Sequence, residues 1–221
     1  MSIFILIEKI FYYPNKIGPL STNIIIEIPK YSSLSNIASI LEDKGIIENK
    51  YYFIMHSYFT GKAKLLKAGE YSFSKNISQN DVLIMLFEND VKLYKLVIPE
   101  CYSNKQIFEI IKKNLYIPTI QLGYSEGAFF PSTYFFSKDT SVEKLLGIMY
   151  DEANTKFLEL YNQYKNNISD VLNQSEVLVL ASIIEAEARK VEEQNKIAGV
   201  FINRLRKGMK LQSDPTVIYG I

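Results

Sequence analysis

One strand–turn–helix pattern, used twice at an interval of seventy residues, constrains the fold of this chain most. In "NIIIEIPKYSSLSNIASILEDKGIIEN" a β-branched run around Ile25 gives way at Pro29 to a polar turn, then to a helix. Ser33 or Ser35 offers the cap, Ile37, Ile40 and Leu41 recur at helical spacing, and Gly45 supplies the stop. In "LYKLVIPECYSNKQIFEIIKKNLYI" the same plan returns. Pro99 answers Pro29, Ser103 answers Ser33, Ile107 answers Ile37, and Ile110 with Ile111 answers Ile40 with Leu41. Two copies are too few for a solenoid, and predict a pair of similar α+β units.

Between the copies, "KAGEYSFSKNISQNDVLIMLFEND" reads as a strand followed by a helix, with Ser78 and Asp81 in a capping arrangement. From about Leu122 the character changes. "YSEGAFFPSTYFFSKDTS" is aromatic and broken by Gly127 and Pro131, which predicts a loop or short extended segments. A helix is expected from Ser141 to Tyr164, with Leu145, Ile148, Met149, Ala153, Phe157 and Leu160 on one side. The next opens near Ser175. Another runs from Glu192 to Lys207, with Ile197, Val200, Phe201 and Leu205 inward, and stops at Gly208. "MKLQSDPTVIYGI" then reads as strand, turn and strand.

Composition excludes several classes of chemistry. With 25 basic and 24 acidic residues and no basic stripe, nothing favours a nucleic-acid partner. One cysteine, Cys101, and one histidine, His56, cannot make a Cys/His zinc site or an internal disulfide. There is no P-loop and no G-x-G-x-x-G, and a Ser-His-Asp triad is disfavoured because the only histidine, His56, lies in a helix-like segment far from any G-x-S-x-G. "MSIFILIEKIFYYPNK" stays apolar only up to Glu8, short of the ~20 residues of a membrane span. It fits the stub of a longer anchor, or a first strand.

The segment richest in possible chemistry is "ASIIEAEAR", which closes an apolar run from Val177 to Ile184 with Glu185 and Glu187. At about 100° per residue, Val177, Leu180, Ala181, Ile184 and Ala188 centre one face. The two glutamates flank it about 200° apart, so they do not form a side-by-side pair. A carboxyl at an apolar border is disposed to stay protonated, the condition for general-acid work. The alternative is a charged surface, with Glu185 paired to Arg189 one turn on and Glu187 solvated. Within thirty residues, Asn203, Arg204, Gln212, Asp214, Thr216 and Tyr219 carry donors and acceptors suited to a sugar's hydroxyl and amide groups. Phe129, Phe130 and Tyr134 could stack on a ring or simply pack.

Taken together, "LVLASIIEAEA", "GVFINRLRKGMKLQSDPTVIYG", "EGAFFPSTY" and "KAGEYSF" resemble the YceG-like family of endolytic murein transglycosylases. The likeness runs back to about Ile24. It implies an α+β protein: a possible anchor remnant and linker over 1–22, a LysM-like strand/helix region over 23–118, and a mainly helical catalytic domain with short strands over 119–221. The implied activity is cleavage of nascent peptidoglycan between N-acetylmuramic acid and N-acetylglucosamine, leaving 1,6-anhydromuramoyl ends and terminating strand elongation. By position in the motif the catalytic glutamate is Glu185. Asn203, Gln212, Asp214, Thr216 and Tyr219 are expected to line the cleft, with Glu126 and Tyr134 facing it. No metal or organic cofactor is implied. The implied partners are glycan strands and peptidoglycan synthases, at the inner membrane with the catalytic part facing the periplasm.

The chain also departs from the family pattern. Tyr31 and Cys101 stand where the family has glycine after the two "IP-x" turns, and Ser132 where it has an acidic residue. Family members carry a complete membrane helix first and Gly/Pro-rich and Asn-Thr-Tyr motifs beyond "DPTVIYG". The expectation is therefore a truncated or split form, either still a transglycosylase or an inactive peptidoglycan-binding remnant.

Overall fold

The computed structural model describes residues 12–115, 123–188 and 190–218. It is α+β. Strand β1 (Ile24–Ile28) pairs antiparallel with β2 (Gly69–Phe73), and β3 (Leu93–Val97) pairs with β4 (Thr133–Ser137). Two compact units result. One holds the described residues up to Lys95 together with Phe135–Thr140; the other holds the described residues of Leu96–Tyr134 and from Ser141 onward. The expected boundary at 118 lies outside the described residues.

In the first unit the order is β1, α1 (Leu34–Asp43), α2 (Lys50–Phe59), β2 and α3 (Gln79–Glu88). Alternation along β1 turns Ile26 and Ile28 inward and leaves Ile25 exposed. The Ser33 side chain, rather than Ser35, caps α1 by accepting the Asn36 N–H, and Ile37, Ala38 and Leu41 are buried. Asn49 caps α2 and Ser78 caps α3 in the same way. Register places Ile26 opposite Tyr71. With Phe53, Phe73, Leu83 and Leu86 these close one core, each large side chain contributing about 1.5–3 kcal/mol through burial. The buried Tyr71 hydroxyl is satisfied by donating to the Lys67 carbonyl at 2.9 Å.

In the second unit, α4 (Asn104–Leu115) repeats the plan of α1. The Ser103 backbone N–H donates to Gln106 Oε1 at 2.8 Å, and the Ser103 hydroxyl receives the Gln106 N–H at 3.4 Å. Ile107 and Ile111 are buried, as Ile37 and Leu41 are. Both departures from glycine keep a left-handed backbone, with φ 65° at Tyr31 and 62° at Cys101. The turns are therefore preserved, and the side chains bear the strain.

Helix α5 (Val142–Tyr164) is capped by Ser141 and buries Leu145, Leu146 and Met149. Ile148 and Leu160, expected inward, are exposed. Helix α6 (Gln174–Glu187) opens with a full capping box between Asn173 and Glu176. Helix α7 (Val191–Arg206) returns across it, so that Leu180, Ile183 and Phe201 form a small core flanked by Ile184, Ile197 and Leu205. Val200, expected inward, is exposed.

The strand–turn–strand expected after Gly208 is corrected by the structure. Gln212 adopts φ 53°, and Pro215–Ile218 forms the short helix α8. Proline at the first helical position is pre-set for a helix start, and the Thr216 N–H donates to the Ser213 carbonyl at 3.1 Å. That local chemistry outweighs the β-branched run that suggested a strand.

Candidate functional site

The two glutamates of α6 have separate partners. Glu185 is half-buried, and its Oε2 accepts a hydrogen bond from Gln194 Nε2 at 2.8 Å. The same amide nitrogen donates to the Ala188 carbonyl at 2.9 Å. Ala188 is where the chain leaves the helix in an extended conformation, and Gln194 lies in the first turns of α7. One side chain thus ties the carboxylate, the helix exit and the next helix together.

Glu187 is exposed, and its Oε2 accepts from the Ser213 hydroxyl at 2.6 Å. Ser213 is buried, so Glu187 pins the loop before α8 to the end of α6. Of the expected face, Leu180 and Ala188 are buried and Val177 and Ile184 half-buried, whereas Ala181 is exposed and Ile183, outside its centre, is buried. The two carboxylates are held by separate donors on different segments. Arg189, the alternative partner for Glu185, lies outside the described residues.

The remaining expected site residues divide. Asn203 on α7, Gln212 and Asp214 are exposed, and Arg204 Nη2 donates to Gln212 Oε1. Thr216 is half-buried, with its hydroxyl donating to the Ser213 carbonyl at 2.6 Å. Tyr219 lies outside the described residues. Glu126 is exposed, yet its carboxylate accepts the Asn104 N–H at 2.9 Å and so covers an open donor at the start of α4. Asn104 in turn donates from Nδ2 to the Ser125 and Tyr124 carbonyls at 2.9 and 3.1 Å. Tyr134 is buried, its hydroxyl donating to the Phe130 carbonyl at 2.6 Å. Burial first, then the charge of Glu152, pushes that phenol well above the ordinary tyrosine range. Glu126 and Tyr134 therefore have defined packing and capping roles within the unit.

Sequence reasoning did not single out Gln194 or Ser213, and it took Cys101 only as a departure. The Cys101 thiol is pushed up chiefly by burial, then by the negative charge of Glu185 and of Glu100. The turn ahead of α4 is thus within electrostatic reach of the Glu185 carboxylate. Spacing carries no trace of this, because 84 residues separate Cys101 from Glu185.

An unpaired pair of carboxylates, each with one defined donor, beside exposed amide and carboxylate side chains is an arrangement suited to proton transfer on a polar substrate. No helix among the described residues is long and apolar enough to cross a membrane. Comparison with known proteins gives this geometry a family. An endolytic murein transglycosylase of Bacillus subtilis (strain 168) is 30% identical over 90% of this chain and 63% of its own length. One of Streptococcus pneumoniae (strain R6) is 28% identical over 95% of this chain and 46% of its own. The chain therefore spans roughly half to two thirds of these relatives. A crystal structure of a protein described as YceG-like, from Listeria monocytogenes, is 29% identical over 90% of this chain and 75% of that one, with a TM-score of 0.47. The YceG-like family model matches residues 26–221, which takes in both units and both glutamates, and the chain belongs to that family.

Proposed function

We propose that this chain is an endolytic peptidoglycan transglycosylase in which Glu185 is the single acid–base catalyst. The observation that carries the proposal is the half-buried Glu185 carboxylate, held by Gln194 and apart from Glu187. Glycosidases that use water need two carboxylates acting together. A transglycosylase needs one. Glu185 in its acid form gives its proton to the glycosidic oxygen as the C1–O4 bond breaks and the N-acetylglucosamine end leaves. The carboxylate then takes the proton of the muramoyl C6 hydroxyl as that oxygen bonds to C1. The 1,6-anhydro ring closes, the acid is regenerated, and no water is consumed.

Exposed Asn203, Gln212 and Asp214 supply groups for sugar hydroxyls and acetamides in this reading, with Thr216 beside them, and Tyr219 joins them by its place in the family motif alone. Glu126 and Tyr134 support its opposite wall by fixing the segment from Tyr124 to Tyr134. The β1–α1–α2–β2 order of the first unit supports a LysM-like, glycan-holding role. The relatives' names refer to murein, which supports a catalytic part that acts outside the cytoplasm, and in this reading it does so at the inner membrane.

Glu185→Gln and Glu187→Gln test the assignment on isolated glycan strands, with anhydromuramoyl ends read by mass spectrometry. Loss of a positioned general acid is expected to cost roughly 10²–10⁴-fold in rate. Glu187→Gln should retain most activity. Undiminished product from Glu185→Gln overturns the assignment.

A further inference from the structure

We infer that Gln194 is the positioning residue of the site: its side-chain amide fixes the rotamer of Glu185 and supplies the donor its carboxylate uses between the two proton transfers. This rests on the transglycosylase reading above. The geometric basis is the forked contact of one Nε2 with Glu185 Oε2 at 2.8 Å and the Ala188 carbonyl at 2.9 Å. A primary amide nitrogen has two hydrogens, and both are used here. The second contact matters as much as the first. Anchored to the backbone where α6 ends, the amide cannot swing with the carboxylate, so it sets where Oε2 lies.

The fork also answers a local difficulty. Ala188 has left the helix, with φ −140° and ψ 135°, so the Glu185 side chain stands in the last turn before the chain departs. A carboxylate there has several rotamers, and a proton donor must hold one to within a fraction of an ångström. An uncharged amide can impose the orientation without adding a charge that would itself favour the ionised form. Arginine or lysine at this position would hold the carboxylate but favour its ionised form, narrowing the pH range in which it acts as an acid. Glutamate would remove the donor and add repulsion.

Among the described residues, charged and titratable groups stand on each element that meets this contact. On α6, Glu187 is engaged with Ser213; on α7, exposed Glu192 and Glu193 precede Gln194; from the turn before α4 comes Cys101, whose thiol feels the charge of Glu185. Among the described residues around Glu185 Oε2, Gln194 is the side chain placed to donate to it.

Three substitutions separate positioning from mere packing. Gln194→Met keeps length and bulk without the donor; its kcat on isolated glycan strands should fall about 10–100-fold with KM little changed. Gln194→Glu should move the alkaline limb of the pH–rate profile upward, and Gln194→Arg should move it downward, because one adds a like charge and the other an opposite one. Opposite displacements are a signature that a packing role does not give. A Gln194→Met enzyme with normal kcat, or Glu and Arg variants whose limbs do not diverge, overturns the inference. An independent readout is the side-chain amide of Gln194 in ¹H–¹⁵N NMR. Its two protons should be well separated in the unmutated chain and collapse toward solvated glutamine values in Glu185→Ala. If the unmutated chain makes no anhydro ends, the transglycosylase reading fails, and this spectrum alone decides whether Gln194 holds Glu185.

Discussion

Replacing Tyr31 by glycine should stabilise the first unit, and the structure allows the size of the effect to be worked out. Tyr31 has φ 65° and is fully exposed, at 102% of its reference accessibility. The Ser32 N–H donates to the Pro29 carbonyl at 3.3 Å, so Tyr31 occupies the third position of a turn that calls for positive φ. A side chain in that conformation costs roughly 1–2 kcal/mol, from the contact between Cβ and the carbonyl oxygen. Because the ring buries nothing, its removal forfeits no hydrophobic energy. Glycine loses more freedom on folding, which returns about 0.5–1 kcal/mol. The net gain for Tyr31→Gly is therefore about 0.5–1 kcal/mol, or a few degrees in Tm for a unit of this size. Tyr31→Ala retains the Cβ and should gain nothing. Urea unfolding of the three proteins measures the difference. A Tyr31→Gly protein no more stable than Tyr31→Ala would refute the assignment of strain to this turn.

Other outcomes follow from the caps and the buried histidine. His56 is buried on α2, and burial, then the charge of Lys62, lowers its pKa below the usual 6.5. The unfolded chain takes up that proton first as the pH falls, so stability is full above 6.5 and declines below it, by at most about 1.4 kcal/mol per pH unit. In His56→Gln, urea midpoints at pH 7.5 and 5.5 should lie closer together than in the unmutated protein; an unchanged gap would count against the buried neutral form. Asn173→Ala removes the acceptor for the Ser175 and Glu176 N–H groups, at 3.0 and 3.1 Å, and should cost about 1 kcal/mol. Hydrogen exchange should show the loss as faster opening at the start of α6, and uniform protection would contradict it.

Legibility from sequence followed the range of the interactions. The repeated unit was readable because its determinants are local: Ser33 and Ser103 cap helices three residues ahead of the groups they bind, and both turns carry proline at the same place. Helix α6 was readable too, but its buried centre was not. Leu180 is buried as the expected face requires, but Ala181 on the same face is exposed, because the covering surface is set by Phe201 on α7, which meets Leu180 together with Ile183. The segment around Gln212 failed for a related reason. Its β-branched residues suggest a strand, while Ser213 is held by Glu187, twenty-six residues earlier, and Pro215 starts a helix. Glu185 and Glu187 were both visible as carboxylates at the borders of an apolar run, and only the family resemblance singled out Glu185. Gln194 was invisible, because a glutamine on an amphipathic helix has no periodic signature and only the reversal between α6 and α7 brings it to Glu185.

The central claim is that one carboxylate and the substrate's own hydroxyl perform the cleavage. Digestion of isolated glycan strands in water enriched in oxygen-18 tests it most directly. New anhydromuramoyl ends should carry no label, and none of these ends should form with Glu185→Gln. Labelled reducing ends, or unlabelled anhydro ends that persist in Glu185→Gln, would contradict it.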